Sequence, residues 1–138
     1  MKRILASLVF MVLLFPALAL GETMDDLVQR DGLIYEKSSD VPFTGKIVDY
    51  HPNGQLRKKQ TYKVGKRDGL WVYYWENGQV SFKVPFKDGK RDGPLVYYLH
   101  DGQLSWKTTF KDGKEVGLSV NYHDNGQIRL KGNHKDGK

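Results

Sequence analysis

The chain has 138 residues, the length of a single domain, and it contains no cysteine. Without cysteine, it has no disulfides, thiolate metal sites, cysteine nucleophiles or acylated lipoprotein cysteine. Its formal net charge of +6 is interspersed with aspartates, whereas phosphate binders segregate their cations into a patch, so we expect no nucleic-acid binding. The 15 glycines and eight tyrosines favour turns and strands.

The first residues have the composition of a signal peptide. A short basic start precedes an apolar run over residues 4–20, and small residues allow cleavage after Ala19 or Gly21. We therefore predict a signal peptide at residues 1–21 and a periplasmic or secreted bacterial protein. The alternative is an uncleaved N-terminal anchor, although this run reaches only about 26 Å as a helix, and a spanning helix needs about 20 residues.

Residues 22–44 are predicted to form an N-terminal cap. Residues 31–35 and 41–45 resemble the strands of a degenerate leading hairpin, and residues 24–30 are predicted to form one or two helical turns. Repeat proteins commonly end their stacks with such atypical, more polar units.

The rest of the chain follows a repeat of 24 residues. Three glycine columns keep this period: Gly45, Gly69, Gly93 and Gly117; Gly54, Gly78, Gly102 and Gly126; and Gly65, Gly89, Gly113 and Gly137. Valine, tyrosine, glutamine and lysine columns follow the same spacing. The sequence therefore predicts four units, at residues 45–68, 69–92, 93–116 and 117–138.

Each unit is predicted to be a β-hairpin. In the second unit, residues 70–75 and 80–86 are rich in β-branched and aromatic side chains, and Asn77-Gly78 between them is a strong signal for a two-residue type I′ turn. The longer polar connection at residues 87–93 is predicted to link one hairpin to the next.

Such a turn fixes which residues face one another. It places Trp75 opposite Val80 and Tyr73 opposite Phe82, which gives the hairpin one strongly apolar face. The predicted fold is all-β, an antiparallel hairpin meander of eight to ten strands in a single curved or twisted sheet. Its apolar face must curl upon itself, be covered by the N-terminal segment, or meet a partner.

The units resemble a known repeat. Residues 69–79 and 86–93, with a glycine, aromatic residues, Asn-Gly-Gln and Gly-Lys in phase, are similar to the variant MORN repeat of bacterial proteins in the YwqK-type antitoxin family of toxin–antitoxin systems. The resemblance covers residues 33–138. It implies a β-hairpin repeat protein whose repeats are protein-interaction surfaces and which neutralises a toxin. Antitoxins act in the cytoplasm, and a periplasmic immunity protein would reconcile this role with a signal peptide.

The sequence has no pattern typical of an enzyme. The chain has four histidines, His51, His100, His123 and His134. Their positions lack the spacing that metal ligands have in known motifs. The aspartates cluster at turns, where Asp hydrogen-bonds its own backbone. Gly89-Lys90 lacks the spaced glycine and the following Ser or Thr of a phosphate loop. We therefore expect no catalysis, no cofactor and no metal.

Two surfaces are candidate binding sites. The candidate protein-binding face consists of Trp71, Tyr73, Trp75, Phe82, Phe86, Tyr97, Trp106 and Phe110, residue types enriched at interfaces. The candidate anionic-surface face consists of Lys59, Lys83, Lys107, Lys131, Tyr74 and Tyr98. The alternative interpretations are an ordinary core for the first set and a solvated face for the second.

These features predict an exported, non-enzymatic repeat module that binds an unidentified protein, with a toxin as one candidate. The alternative is an envelope-surface binder that contacts anionic lipid or glycan through the lysine columns, as a peripheral membrane protein would. Dimerisation through a sheet edge also stays open, because an edge strand exposes unpaired backbone groups.

Overall fold

Antiparallel strands make up nearly all of the part of the chain that the structure describes. The computed structural model describes residues 24–138, and the predicted signal peptide at residues 1–21 lies outside them. The elements are a 3-10 turn (Met24–Asp26), β1 (Leu27–Arg30), β2 (Leu33–Glu36), β3 (Gly45–Tyr50), β4 (Leu56–Lys63), β5 (Lys66–Arg67), β6 (Gly69–Tyr74), β7 (Val80–Lys87), β8 (Lys90–Arg91), β9 (Gly93–Tyr98), β10 (Leu104–Lys111), β11 (Lys114–Tyr122) and β12 (Ile128–His134).

One large sheet contains ten of these strands. The hairpin strands lie in the order β12-β11-β10-β9-β7-β6-β4-β3, while the short β5 and β8 pair with β4 and β7. β1 and β2 form a separate two-stranded sheet. The predicted fold, an antiparallel hairpin meander in one sheet that is not closed on itself, is therefore confirmed.

The predicted register is correct in the body of the hairpin and wrong beside the loop. Tyr73 lies opposite Phe82, as expected. Val80, however, pairs with Tyr74 instead of Trp75. The residue of β7 between these two pairs has no partner and forms a β-bulge.

The Asn-Gly loop explains the difference, because it is not the predicted type I′ turn. The carbonyl of Trp75 accepts a hydrogen bond from Gly78 N–H at 2.9 Å, and Trp75 N–H donates to the carbonyl of Gln79 at 2.8 Å. Of Asn77 and Gly78, only Gly78 has a positive φ, at 83°. Type I′ turns need positive φ at both central residues. The loop therefore has three residues, and the bulge compensates for the additional one.

The tight turns instead join one hairpin to the next. Asp88 and Gly89 have φ of 49° and 84°, and the flanking Lys87 and Lys90 pair directly. Both central residues thus have the left-handed conformation of a type I′ turn. The connection at residues 87–93, predicted as a long polar link, is consequently a tight turn that starts a two-residue strand.

The N-terminal segment differs from the prediction. The expected helical turns at residues 24–30 are one 3-10 turn followed by β1. The leading hairpin consists of β1 and β2, joined at Asp31 and Gly32. Residues 41–45, expected to form its second strand, contribute one isolated bridge between Tyr35 and Pro42.

The core lies on the apolar face of the sheet, and the N-terminal hairpin covers one end of it. Ile34 N–H donates to the carbonyl of Gly65 at 3.0 Å, and Phe43 N–H donates to the carbonyl of Ile34 at 2.8 Å. The first bond attaches the leading hairpin to the tight turn that follows β4, and the second attaches it to the segment before β3. The buried core residues are Leu27, Phe43, Ile47, Tyr62, Trp71, Val84, Phe86, Leu95 and Phe110.

Candidate functional site

Two rows of side chains cross the whole sheet on opposite faces. Along each row, every residue is the direct cross-strand partner of the next. The row on the apolar face is Asp49, Lys58, Tyr73, Phe82, Tyr97, Trp106, Asn121 and Leu130. The row on the opposite face is Val48, Lys59, Val72, Lys83, Val96, Lys107, Val120 and Lys131. Neighbouring residues such as Tyr73 and Tyr74 therefore belong to different surfaces.

The predicted protein-binding face divides into two layers. Trp71, Phe86 and Phe110 are buried in the core, so these three side chains form the interior of the sheet. The other five are half-buried, and we call them the aromatic row: Tyr73, Trp75, Phe82, Tyr97 and Trp106. The predicted set thus contains both a core and an accessible surface above it.

Ring contacts connect four members of the aromatic row, and a hydrogen bond holds the fifth. The ring centroids of Tyr73 and Phe82 are 5.8 Å apart, and those of Phe82 and Tyr97 are 6.4 Å apart. Trp75 meets Tyr97 edge-on at 6.1 Å. Trp106 is fixed by a hydrogen bond from its Nε1 to the hydroxyl of Ser119 at 3.1 Å. Such contacts hold the rings in place before any partner binds.

Charge borders the aromatic row on one side. The carboxylate of Asp49 pairs with the ammonium of Lys58 at 3.4 Å and accepts a hydrogen bond from Arg57. The bond from Arg57 holds the pKa of Asp49 below its usual value. In the core below, burial raises the pKa of the Tyr62 hydroxyl. Both shifts have structural causes and do not indicate an acid–base catalyst.

The opposite face carries regularly spaced cations. Lysine and valine alternate from strand to strand, so the lysines are two strands apart, or about 9.6 Å along the sheet. Lys59, Lys107 and Lys131 are exposed, and Lys83 is half-buried. We call these four residues the lysine row.

A shallow depression lies beside the lysine row. Lys83 and Tyr98 line it together with the loop residues Gly78, Gln79 and Gly102, and its volume is about 460 Å³. Two of the predicted anionic-surface residues therefore lie in the same concave site. Tyr74, a third member of the predicted set, lies half-buried on the same face.

Side-chain hydrogen bonds join the loops of successive units, and the sequence analysis missed them. The ring of His51 bonds the carbonyl of Tyr74 at 2.8 Å, and the amide of Asn53 donates to the carbonyl of Glu76 at 2.8 Å. The 24-residue period contained the signal, because both residues recur as potential donors in the same columns of other units.

The second junction repeats these bonds, and the third does not. Trp75 Nε1 donates to the carbonyl of Tyr98 at 3.2 Å, and the Asn77 amide donates to the carbonyl of His100 at 2.8 Å. The third unit has Leu99 and Asp101 in these columns, and neither side chain is a donor. A depression of about 380 Å³ opens there between Asp101 and Asp124.

Within residues 24–138, no three His, Asp or Glu side chains are placed to share a metal ion. In the same range, no helix is long and apolar enough to cross a bilayer.

Comparison with known proteins identifies the repeat. The family model described as the MORN repeat variant matches residues 43–63, 67–88 and 115–136. A comparison with curated proteins found no match to the chain. The matched segments coincide with the first, second and fourth hairpins. The chain thus contains MORN-variant repeats, which are in general non-enzymatic modules for protein or membrane interaction.

Proposed function

We propose that this chain is an exported, non-enzymatic repeat module that binds another protein through the aromatic row, as an antitoxin-like or immunity protein does. The observation that carries the proposal is the aromatic row itself. Five large rings stay half-buried in the middle of the sheet, and three of them, Tyr73, Phe82 and Trp106, pack against the buried core. Packing of the core does not require these rings to be exposed, whereas binding to a partner protein does.

The aromatic row has the properties of an interface hot spot. Aromatic side chains bury large areas with few rotatable bonds, and they dominate the energetics of many protein complexes. The rings of Phe82 and Tyr97 are already held by neighbouring rings at 5.8 to 6.4 Å. Binding therefore loses little side-chain entropy, because the surface is organised beforehand.

The N-terminal composition and the repeat type support the more specific role. Residues 1–21 read as a signal peptide, which directs the repeats out of the cytoplasm. The resemblance to the YwqK-type family points to the neutralisation of a toxin. An immunity protein that meets its toxin in the periplasm fulfils both conditions, and its partner is then a protein of the same compartment.

Crosslinking in intact cells tests location and partner together. The chain carries a C-terminal tag, and the captured material is separated into periplasmic and membrane fractions. Tyr97 and Tyr98 are adjacent and lie on opposite faces, so Tyr97→Ala and Tyr98→Ala are a matched pair. We expect one stoichiometric periplasmic partner whose affinity falls at least about tenfold with Tyr97→Ala and stays unchanged with Tyr98→Ala.

Two outcomes contradict the proposal. One is the absence of any saturable protein partner for the wild-type chain. The other is a partner whose affinity is lost with Tyr98→Ala and kept with Tyr97→Ala, since this result places the interface on the lysine face. Thermal unfolding of both variants shows whether each remains folded.

The lysine row supports a second candidate function, the binding of anionic lipid or glycan at the cell envelope. Its specific support is the depression in which Lys83 and Tyr98 lie side by side. An electrostatic contact of this kind weakens strongly with added salt. Binding to anionic vesicles or anionic polysaccharide that fell with salt and with Lys83→Ala, but not with Tyr97→Ala, would support it. Binding independent of salt would exclude it.

A further inference from the structure

A cavity of about 340 Å³ lies where the leading hairpin meets the tight turn that follows β4. Gln29 and Ile34 line it from the hairpin, and Tyr62, Lys66 and Arg67 line it from the first unit. Among residues 24–138, no carboxylate lines this cavity. A concave site with two cations and no acid in its wall attracts an anion.

Arg67 supplies a guanidinium that no acid neutralises. Within the described range it forms no ion pair, and its side chain makes no hydrogen bond. The guanidinium lies over the rings of Trp71 and Phe86, at 5.3 and 5.4 Å from their centroids. Such stacking holds the side chain in place and leaves its N–H donors unused. Two parallel donors of a guanidinium match the two oxygens of a carboxylate.

The hydroxyl of Tyr62 is a second unused donor. Tyr62 is only 7% exposed, and its hydroxyl makes no hydrogen bond in the part of the chain that the structure describes. Burial raises its pKa and the charge of Arg67 opposes this only in part, so the hydroxyl keeps its proton. Tyr62 pairs directly with Arg67 between β4 and β5. Both donors therefore lie together on the apolar face of the sheet.

The backbone of the cavity is unlike that of a phosphate loop, in which glycine N–H groups hold the phosphate. Gly65 and Gly89 line the cavity. Their N–H groups already donate to the carbonyls of Phe43 and Arg67, at 2.7 and 2.9 Å. The unused donors described above are side chains, and their arrangement suits a planar carboxylate better than a tetrahedral phosphate.

We propose that this cavity binds the carboxylate of a small organic acid. Arg67 holds both carboxylate oxygens, and the Tyr62 hydroxyl donates to one of them. Ile34 and the ring of Tyr62 contact an apolar part of the ligand, and the cavity volume lies at the lower end of the range for small-molecule sites. The site shares no residue with the aromatic row, so it does not depend on the proposed function.

A benzoate titration followed by NMR tests the site, because benzoate joins a carboxylate to a flat apolar ring. In the isotope-labelled chain, we expect saturable shifts of the backbone amide signals of Gly32 and Gly65, which both line the cavity. Benzamide has the same shape without the charge and should bind at least about tenfold more weakly. Inorganic phosphate should also bind more weakly than benzoate.

Arg67→Gln and Arg91→Gln are a matched pair of variants. Arg91 occupies the same column one unit later and lies over Phe110 at 5.1 Å, but it does not line the cavity. We expect Arg67→Gln to weaken benzoate binding at least about tenfold and Arg91→Gln to leave it unchanged. Tyr62→Phe keeps the ring and loses the hydroxyl, so binding should weaken about threefold.

Four results would overturn the proposal. They are the absence of saturable shifts at these amides with benzoate, equal binding of benzamide, tighter binding of inorganic phosphate, and equal effects of Arg67→Gln and Arg91→Gln. NMR signals from outside the cavity show whether each variant remains folded.

Discussion

The two ends of the sheet carry the same repeat but bury it differently. At the β3 end, Ile47 is fully buried and Phe43 is 5% exposed, because the leading hairpin covers them. At the β12 end, Leu130 on the same face is 64% exposed. The difference shows that a hairpin of this type does not bury its own apolar face. Each unit depends on its neighbour, as in other repeat proteins.

The sequence of each unit is matched to its position in the stack. One column of the core reads Ile47, Trp71 and Leu95 in the first three units and Ser119 in the fourth. Another column reads Tyr62, Phe86 and Phe110, then His134. The fourth unit thus lacks the large side chains that would need a covering layer. Its exposed apolar residues lie on β12 instead.

The same substitution in the middle of the sheet and on β12 should have very different effects. Leu95→Ala removes a side chain that is 1% exposed, and we expect the free energy of unfolding to fall by about 2–5 kcal/mol. Leu130→Ala removes an exposed one and should cost less than about 0.5 kcal/mol in the monomer. Urea unfolding measures both. Similar losses at the two positions would contradict the difference in burial.

Removing the loop bonds at the first junction should have a smaller effect. The double variant H51L/N53D deletes two hydrogen bonds between the first and second units, and we expect a loss of about 1–2 kcal/mol in the free energy of unfolding. The matched change at the other end is H123L/N125D, which removes donors without partners. In dilute protein, this control should leave stability nearly unchanged.

The third junction offers the opposite test, a gain of stability. Asp101→Asn keeps the acceptor that Gln103 N–H uses at 3.0 Å, and it exchanges the Oδ2 that accepts from Gln103 Nε2 for the donor present in the first two units. It also removes one of the two carboxylates, Asp101 and Asp124, that line the same depression. We expect a gain of about 0.5–1 kcal/mol in urea unfolding. A loss of stability would show that this junction is built differently.

Acid should act on the first unit through Asp49. Its pKa is lowered in the folded chain, so its contribution to stability is present above the ordinary value of 3.8 and is lost as pH falls through the lowered pKa. Asp49→Asn should therefore lose less stability between pH 7 and pH 3 than the wild-type chain does. Asp40→Asn is the control, since Asp40 makes an exposed ion pair with Arg30.

Much of the fold follows from the period alone. The glycine columns and the alternation within each unit predict the number of hairpins, their order and the Tyr73–Phe82 pair. The two loop types were exchanged, because the side chain before each loop glycine accepts a hydrogen bond from the backbone N–H two residues later, as Asn77 does from Gln79 at 3.0 Å. The same bond is present in the other three units, and the dipeptide preference for a type I′ turn does not include it.

The sequence predicts which aromatic side chains share one face of the sheet, but it does not predict which of them are buried. Alternation along β6 places Trp71 and Tyr73 on one side of the sheet, yet it does not tell which one is buried. Trp71 lies in a ring stack between Tyr62 at 5.2 Å and Phe86 at 4.7 Å, formed by strands of one hairpin and its neighbour. This depth arises from curvature and from neighbouring units, which no single unit encodes.

Tryptophan quenching tests the central claim, that the aromatic row is the binding surface. The chain has three tryptophans, all on the apolar face, with Trp71 buried and Trp75 and Trp106 half-buried. Acrylamide quenching is measured for the chain alone, with the crosslinked protein partner, and with anionic vesicles. We predict that the partner lowers the quenching of Trp75 and Trp106 while the vesicles do not. Undiminished quenching in the saturated protein complex would contradict the account.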